Sequence, residues 1–161
     1  KRAQERLRTN GIHNASCKSL NSCNKWLKRQ EAEFDRVLID VPCSGSGTWR
    51  RNPDLKIRMN QRDISELEVI QKEILFKTSK FVKVKGRLIY ATCSIFQDEN
   101  QKNIDFFLNN NQNFSLIPAK KIWNETIPLK QYPSENEDFL QLTPYQHSVD
   151  GFFIAILERN F

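Results

Sequence analysis

Two cysteines stand where chains often place reactive side chains. In VLIDVPCSGSGTWRR, residues 37–51, an apolar run ends in Asp40, and Cys43 follows in a glycine- and serine-rich turn with Arg50 and Arg51 behind it. In RLIYATCSIF, residues 87–96, a second apolar run leads into Cys93. Each cysteine is followed by a serine. A thiol in such a place can be a nucleophile, a metal ligand or a small residue in a tight turn. The metal reading has no spacing behind it: Cys17, Cys23, Cys43 and Cys93 form no C-x-x-C pair, and only His13 and His147 could join them. Cys17 and Cys23 read as plain thiols. Arg50 and Arg51 suit phosphate contacts as well as they suit a solvated surface.

The elements that must carry these residues follow from the apolar pattern. RVLIDV, residues 36–41, is a short β-branched run of the kind buried on both faces of a parallel sheet. Ile64, Leu67, Ile70, Ile74, Thr78 and Phe81 recur at intervals of three and four, which predicts a helix over 63–85. Asp63 is its expected cap and Glu66 its capping-box partner, with Lys83 and Lys85 near its negative end. RLIYA is the next strand, and the segment 97–110 a helix capped near Asp98. FSLIPAKKIW offers a strand, and GFFIAILER closes as another. Near the start, KRAQERLRTNG reads as a helix stopped by Gly11, and Trp26 and Leu27 anchor a short one. Residues 118–150 carry four prolines and no period. Strand alternating with helix is α/β grammar with parallel pairing. Ligands in such sheets bind outside the carboxyl ends of the strands, so two neighbouring parallel strands would bring both thiols to one crevice.

The chain has 161 residues, 39% hydrophobic and 27% charged, which is the composition of a globular domain. No apolar run is long enough to cross a membrane and KRAQERLRTNG is not a signal peptide, so a cytoplasmic protein is expected. The net charge of +6 favours a polyanion partner; a soluble basic protein without one is the plain alternative. Neither G-x-G-x-x-G nor a P-loop occurs.

DVPCSGSGTWRRNPD, residues 40–54, and GRLIYATCSIFQDEN, residues 86–100, resemble the paired cysteine motifs of the RNA 5-methylcytosine methyltransferases of the RsmB/Sun type. LTPYQHSVDGFFIAIL, residues 142–157, is similar to that family's last segment, a D-G-F-F strand. The resemblance implies an S-adenosylmethionine-dependent enzyme acting on RNA, with rRNA the expected substrate and tRNA a possible one. It implies that Cys93, in T-C-S, is the nucleophile that adds to cytosine, and that Cys43, in P-C-S, serves product release. DNA methyltransferases attack from a Pro-Cys cysteine instead. Asp40 matches a position that contacts cofactor and target base, and Arg50 and Arg51 would meet RNA phosphates. No metal is implied.

The implied fold is a partial Rossmann-like class I methyltransferase sheet, strands 3 to 7 of the order 3-2-1-4-5-7-6. Residues 1–33 would hold a helix and linker with perhaps strand 3, and 34–161 the C-terminal half of the domain. The family's glycine-rich cofactor run, close to D-x-C-A-x-P-G-G-K, does not occur in these residues. The expectation is therefore a chain that holds cofactor weakly by itself and takes a missing N-terminal half as partner. The rival is a non-catalytic RNA-binding remnant of such an enzyme.

Overall fold

The computed structural model describes residues 2–19 and 24–161. They fall into two compact units, Lys1–Glu31 and Ala32–Phe161. The first contains α1 (Arg2–Thr9) and the single turn α2 (Asn24–Leu27). Gly11 ends α1 as expected: its φ is +68°, and Ile12 N–H reaches back to the Leu7 carbonyl at 2.9 Å. Trp26 lies in α2, with the Lys18 ammonium 5.1 Å from its ring centre. Among the described residues of this unit there is no strand, so the strand that residues 1–33 were expected to hold is not found there. Cys23 lies outside the described residues, and Cys17 is an exposed free thiol.

The second unit runs β1 (Phe34–Asp40), a 3-10 turn (Ser46–Thr48), α3 (Pro53–Arg58), α4 (Gln61–Ser79), β2 (Val82–Thr92) and α5 (Gln101–Asn110). It continues through β3 (Phe114–Ile117), α6 (Ala119–Thr126), β4 (Leu140–Leu142), α7 (Pro144–His147) and β5 (Phe152–Arg159). The sheet order is β1-β2-β5-β3, with β4 pairing on β5. β1 and β2 are parallel neighbours, as expected, whereas β5 runs antiparallel to both β2 and β3. β4 also pairs with β5 antiparallel, as the short connection of residues 143–151 between them requires. β1-β2-β5-β3 is thus the 4-5-7-6 part of the order that the resemblance implied.

Val37 and Ile39 of β1, Leu88 and Tyr90 of β2, and Ala155 and Leu157 of β5 share one face by register. Leu75 of α4 and Ile104 and Phe107 of α5 complete the core with them. Each fully buried leucine, isoleucine or phenylalanine among them contributes roughly 1.5–3 kcal/mol by leaving water. β1 was expected to be buried on both faces, but it is not: Leu38, on the opposite face, is 68% exposed.

α4 differs from expectation in three ways. Its cap is Asn60, whose side chain accepts from the Arg62 and Asp63 backbone N–H groups, while Asp63 takes the reciprocal N3 role and Glu66 none. It stops at Ser79, because Phe81 already pairs with β1 through its carbonyl, accepting from Phe34 N–H at 3.0 Å. Lys83 and Lys85 therefore lie in β2, where Lys83 meets Asp35 at 3.2 Å. The buried stripe is Gln71, Leu75 and Ser79, and Ile70 is exposed. α5 likewise starts later than expected, at Gln101, and Asp98 pairs with Lys102 at 2.6 Å.

Candidate active site at the carboxyl ends of two parallel strands

Register brings the two cysteine loops together. Asp40 of β1 is paired with Ala91 of β2, so both strands release their loops at the same level. The Sγ atoms of Cys43 and Cys93 are 3.3 Å apart, a hydrogen-bond contact between free thiols; a disulfide would need about 2.05 Å. Gly47 N–H donates to the Cys93 carbonyl at 3.0 Å, and Ile95 N–H donates to Ser46 Oγ at 2.9 Å. Trp49 packs edge-on against Phe96, with ring centres 5.5 Å apart. The first loop turns through Gly45, whose φ of +65° lies in the left-handed region that glycine tolerates.

The start of β5 locks this arrangement. Gly151 N–H donates to the Gly47 carbonyl at 2.8 Å, and a Cβ on Gly47 would meet the Gly151 backbone at 2.5 Å. Next to it, the Asp150 carboxylate forms an ion pair with the Arg51 guanidinium. The three sequence stretches that carried the resemblance thus converge on one place.

Beneath the thiols lies a polar floor that the sequence reading missed. Glu99 is fully buried. Its Oε1 accepts from Ser44 N–H at 2.7 Å and from Gln71 Nε2 at 3.0 Å. Its Oε2 accepts from the hydroxyl of Ser44 at 2.5 Å and from that of Ser94. Gln71 also donates to the Pro42 carbonyl at 2.9 Å. Asn100 donates to the Ser94 carbonyl at 2.9 Å and accepts from the Thr92 hydroxyl at 2.6 Å. That use of its side chain explains why Asn100, at the start of α5, makes no helix-capping bond. The Tyr90 hydroxyl donates to the Glu99 carbonyl at 2.5 Å. The signal for this floor was present in the serine after each cysteine and in the Glu-Asn pair that follows the second.

Burial pushes the Cys43 thiol up to about 12, and the adjoining Cys93 thiol adds to the rise against the pull of the Gly45 backbone N–H. Burial also raises Tyr90, against the pull of Asn103. Asp40 is exposed, and its carboxylate makes no hydrogen bond or ion pair among the described residues. The two arginines part company: Arg51 is committed to Asp150, whereas Arg50 is exposed with no ion pair among the described residues. Among these residues no cluster of three or more His, Cys, Asp or Glu could hold a metal, and no helix is long and apolar enough to cross a membrane.

Known proteins share both the sequence and this architecture. Ribosomal RNA small subunit methyltransferase B of Shewanella oneidensis is 41% identical over 128 residues, covering 80% of this chain and 28% of that protein. The protein of the same name from Photorhabdus laumondii is 34% identical over 162 positions, covering 99% of this chain and 34% of its own length. The chain therefore spans about a third or less of these curated relatives. The crystal structure of PH0851 superposes with a TM-score of 0.80 at 36% identity, covering 98% of this chain and 34% of that one. NSun6 from Pyrococcus horikoshii, solved with SFG, shares the fold, with a TM-score of 0.76 at 22% identity over 98% of this chain and 38% of its own. The family model described as 16S rRNA methyltransferase RsmB/F matches residues 1–158. With nearly its whole length inside that match, the chain belongs to the RsmB/F family of 16S rRNA methyltransferases.

Proposed function

We propose that residues 34–161 form the two-thiol half of the active site of a cytoplasmic RNA (cytosine-5) methyltransferase whose substrate is small-subunit rRNA. The observation that carries this reading is the 3.3 Å contact between Cys43 and Cys93, delivered by adjacent parallel strands. The names of the curated relatives supply the RNA class.

Carbon 5 of cytosine is a poor nucleophile. Addition of the Cys93 thiolate to carbon 6 makes carbon 5 enamine-like, which splits one hard step into easier ones. After methylation the carbon 5 proton is lost to water, the carbon 6–sulfur bond breaks by elimination, and its electron pair returns to Cys93. Cys43, held protonated by desolvation, is a poor attacker. Its S–H lies against the Cys93 sulfur and would stabilise that sulfur as it leaves, which is a release role.

S-adenosylmethionine, when bound, supplies an electrophilic methyl group. The described residues fit one wall of a site for it, because the free Asp40 carboxylate at the end of β1 can accept from hydroxyl or ammonium groups. NSun6, which shares this fold, was solved with SFG, an S-adenosylmethionine analogue. Asp40 would also hydrogen-bond the cytosine edge and favour protonation at ring nitrogen 3. Arg50 is the free phosphate contact, while at Arg51 a phosphate would compete with Asp150.

The test is a denaturing gel of the enzyme completed with an N-terminal half of the domain, given small-subunit rRNA and S-adenosylmethionine. Cys43→Ala should accumulate a covalent RNA adduct and Cys93→Ala should show none. The opposite pattern would assign the attack to Cys43. RNA retention without an adduct in any variant would favour the RNA-binding remnant.

A further inference from the structure

We infer that Glu99 is the positioning residue of the thiol pair, one buried carboxylate that sets the spacing of Cys43 and Cys93 by gripping the residue after each. Ser44 gives it a backbone N–H and a hydroxyl, and Ser94 a second hydroxyl. Gln71 joins the same carboxylate to the Pro42 carbonyl, so Cys43 is bracketed on both sides. Ser94 Oγ also lies 3.0 Å from Ser46 Oγ and 3.3 Å from Ser44 Oγ, which makes the two loops one hydrogen-bonded body.

Four donors converge on two oxygens, and only a carboxylate offers that many acceptor sites without a donor of its own. Glutamine would turn its N–H₂ either on the Ser44 and Gln71 N–H groups or on the two hydroxyls, and would lose one set. Aspartate is one methylene too short to keep both loops in reach. Glu99 touches neither sulfur among its recorded partners, so it acts through the serines.

The catalytic meaning of this role rests on the methyl-transfer reading above, but the spacing of the thiols can be measured without RNA. In the full chain carrying Cys17→Ser and Cys23→Ser, the pair is equilibrated with reduced and oxidised glutathione. Two thiols and one glutathione disulfide give one intramolecular disulfide and two glutathione thiols, counted by mass after acid quench. Glu99→Gln should lower the equilibrium constant about tenfold, as a loss of pre-set thiol proximity does in a dithiol couple. Ser94→Ala should lower it in the same direction and add little in the Glu99→Gln background. Leu157→Ala, which weakens the core at the far end of β5, should leave it unchanged.

Wild-type pairing in Glu99→Gln would overturn the inference, and so would an equal shift in Leu157→Ala. If Glu99→Gln does not fold, Ser94→Ala decides alone, and an unaltered equilibrium there overturns it. A shifted thiol equilibrium together with no RNA adduct in Cys43→Ala would sink the methyl-transfer reading and leave Glu99 as the positioning residue.

Discussion

The two cysteine loops share a word and differ in setting. Pro42-Cys43-Ser44 is clamped from α4 and from Glu99, through Gln71 to the Pro42 carbonyl and through the carboxylate to Ser44. Thr92-Cys93-Ser94 is clamped from the start of α5, through Asn100 to the Thr92 hydroxyl and the Ser94 carbonyl. Cys43 sits in a desolvated turn that keeps its proton. Cys93 is the last step off a central strand, held in register with β5 through the Thr92–Phe153 pair. Both thiols are free and half-buried, so what differs between the loops is the set of neighbours that holds each one.

The largest expected effect breaks this difference directly. In single-turnover methyl transfer, Cys93→Ser should lose about a thousandfold or more, the scale of removing a covalent nucleophile. Cys43→Ser should keep the first transfer and lose product release. Equal losses in both steps would make the loops equivalent. Next in size is Gly47→Ala. Its Cβ would collide with the Gly151 backbone, and both partners are backbone that cannot swing aside. Urea unfolding should show a loss of about 1–3 kcal/mol. Gln71→Leu follows, at about 1–3 kcal/mol for buried partners left unpaired. Because Gln71 serves the Cys43 side, it should change alkylation of Cys43 by iodoacetamide more than that of Cys93, read by peptide mass. A larger change at Cys93 would contradict the direct tie of Gln71 to the Cys43 loop.

How much of this could be read beforehand depended on length and on polarity. β1, β2 and β5 were visible because their apolar runs are continuous, and their order was what the family resemblance implied. The end of α4 was hidden because Phe81 continues the helical spacing into residues that pair with β1 instead. Its cap was misplaced because Asp63 and Glu66 fit the capping pattern three residues too far in, while Asn60 does the work. α6, β4 and α7 are too short to establish a period, so residues 118–150 looked like loop. The site floor was hidden for a different reason. Gln71 and Glu99 are polar residues that a pattern assigns to solvent, and only tertiary structure shows them buried and bonded. Each of these buried groups depends on partners from other elements, so their positions could not be inferred one residue at a time.

The smallest effect tests the setting of Cys43 by pH. Its thiol rises from about 9 when unfolded to about 12 when folded, with burial the first cause. Between those values the folded chain keeps a proton that the unfolded chain has lost, so folding binds the extra proton. Stability from this group is therefore whole below about pH 9 and drains away as pH climbs towards 12. Tyr90, also raised by burial, pulls in the same direction and remains in any cysteine variant. Cys43→Ser deletes only the thiol's share, so its urea midpoint should fall less steeply than that of the parent protein from pH 9 upwards. Parallel curves for Cys43→Ser and its parent would mean that the Cys43 thiol is not desolvated by its turn.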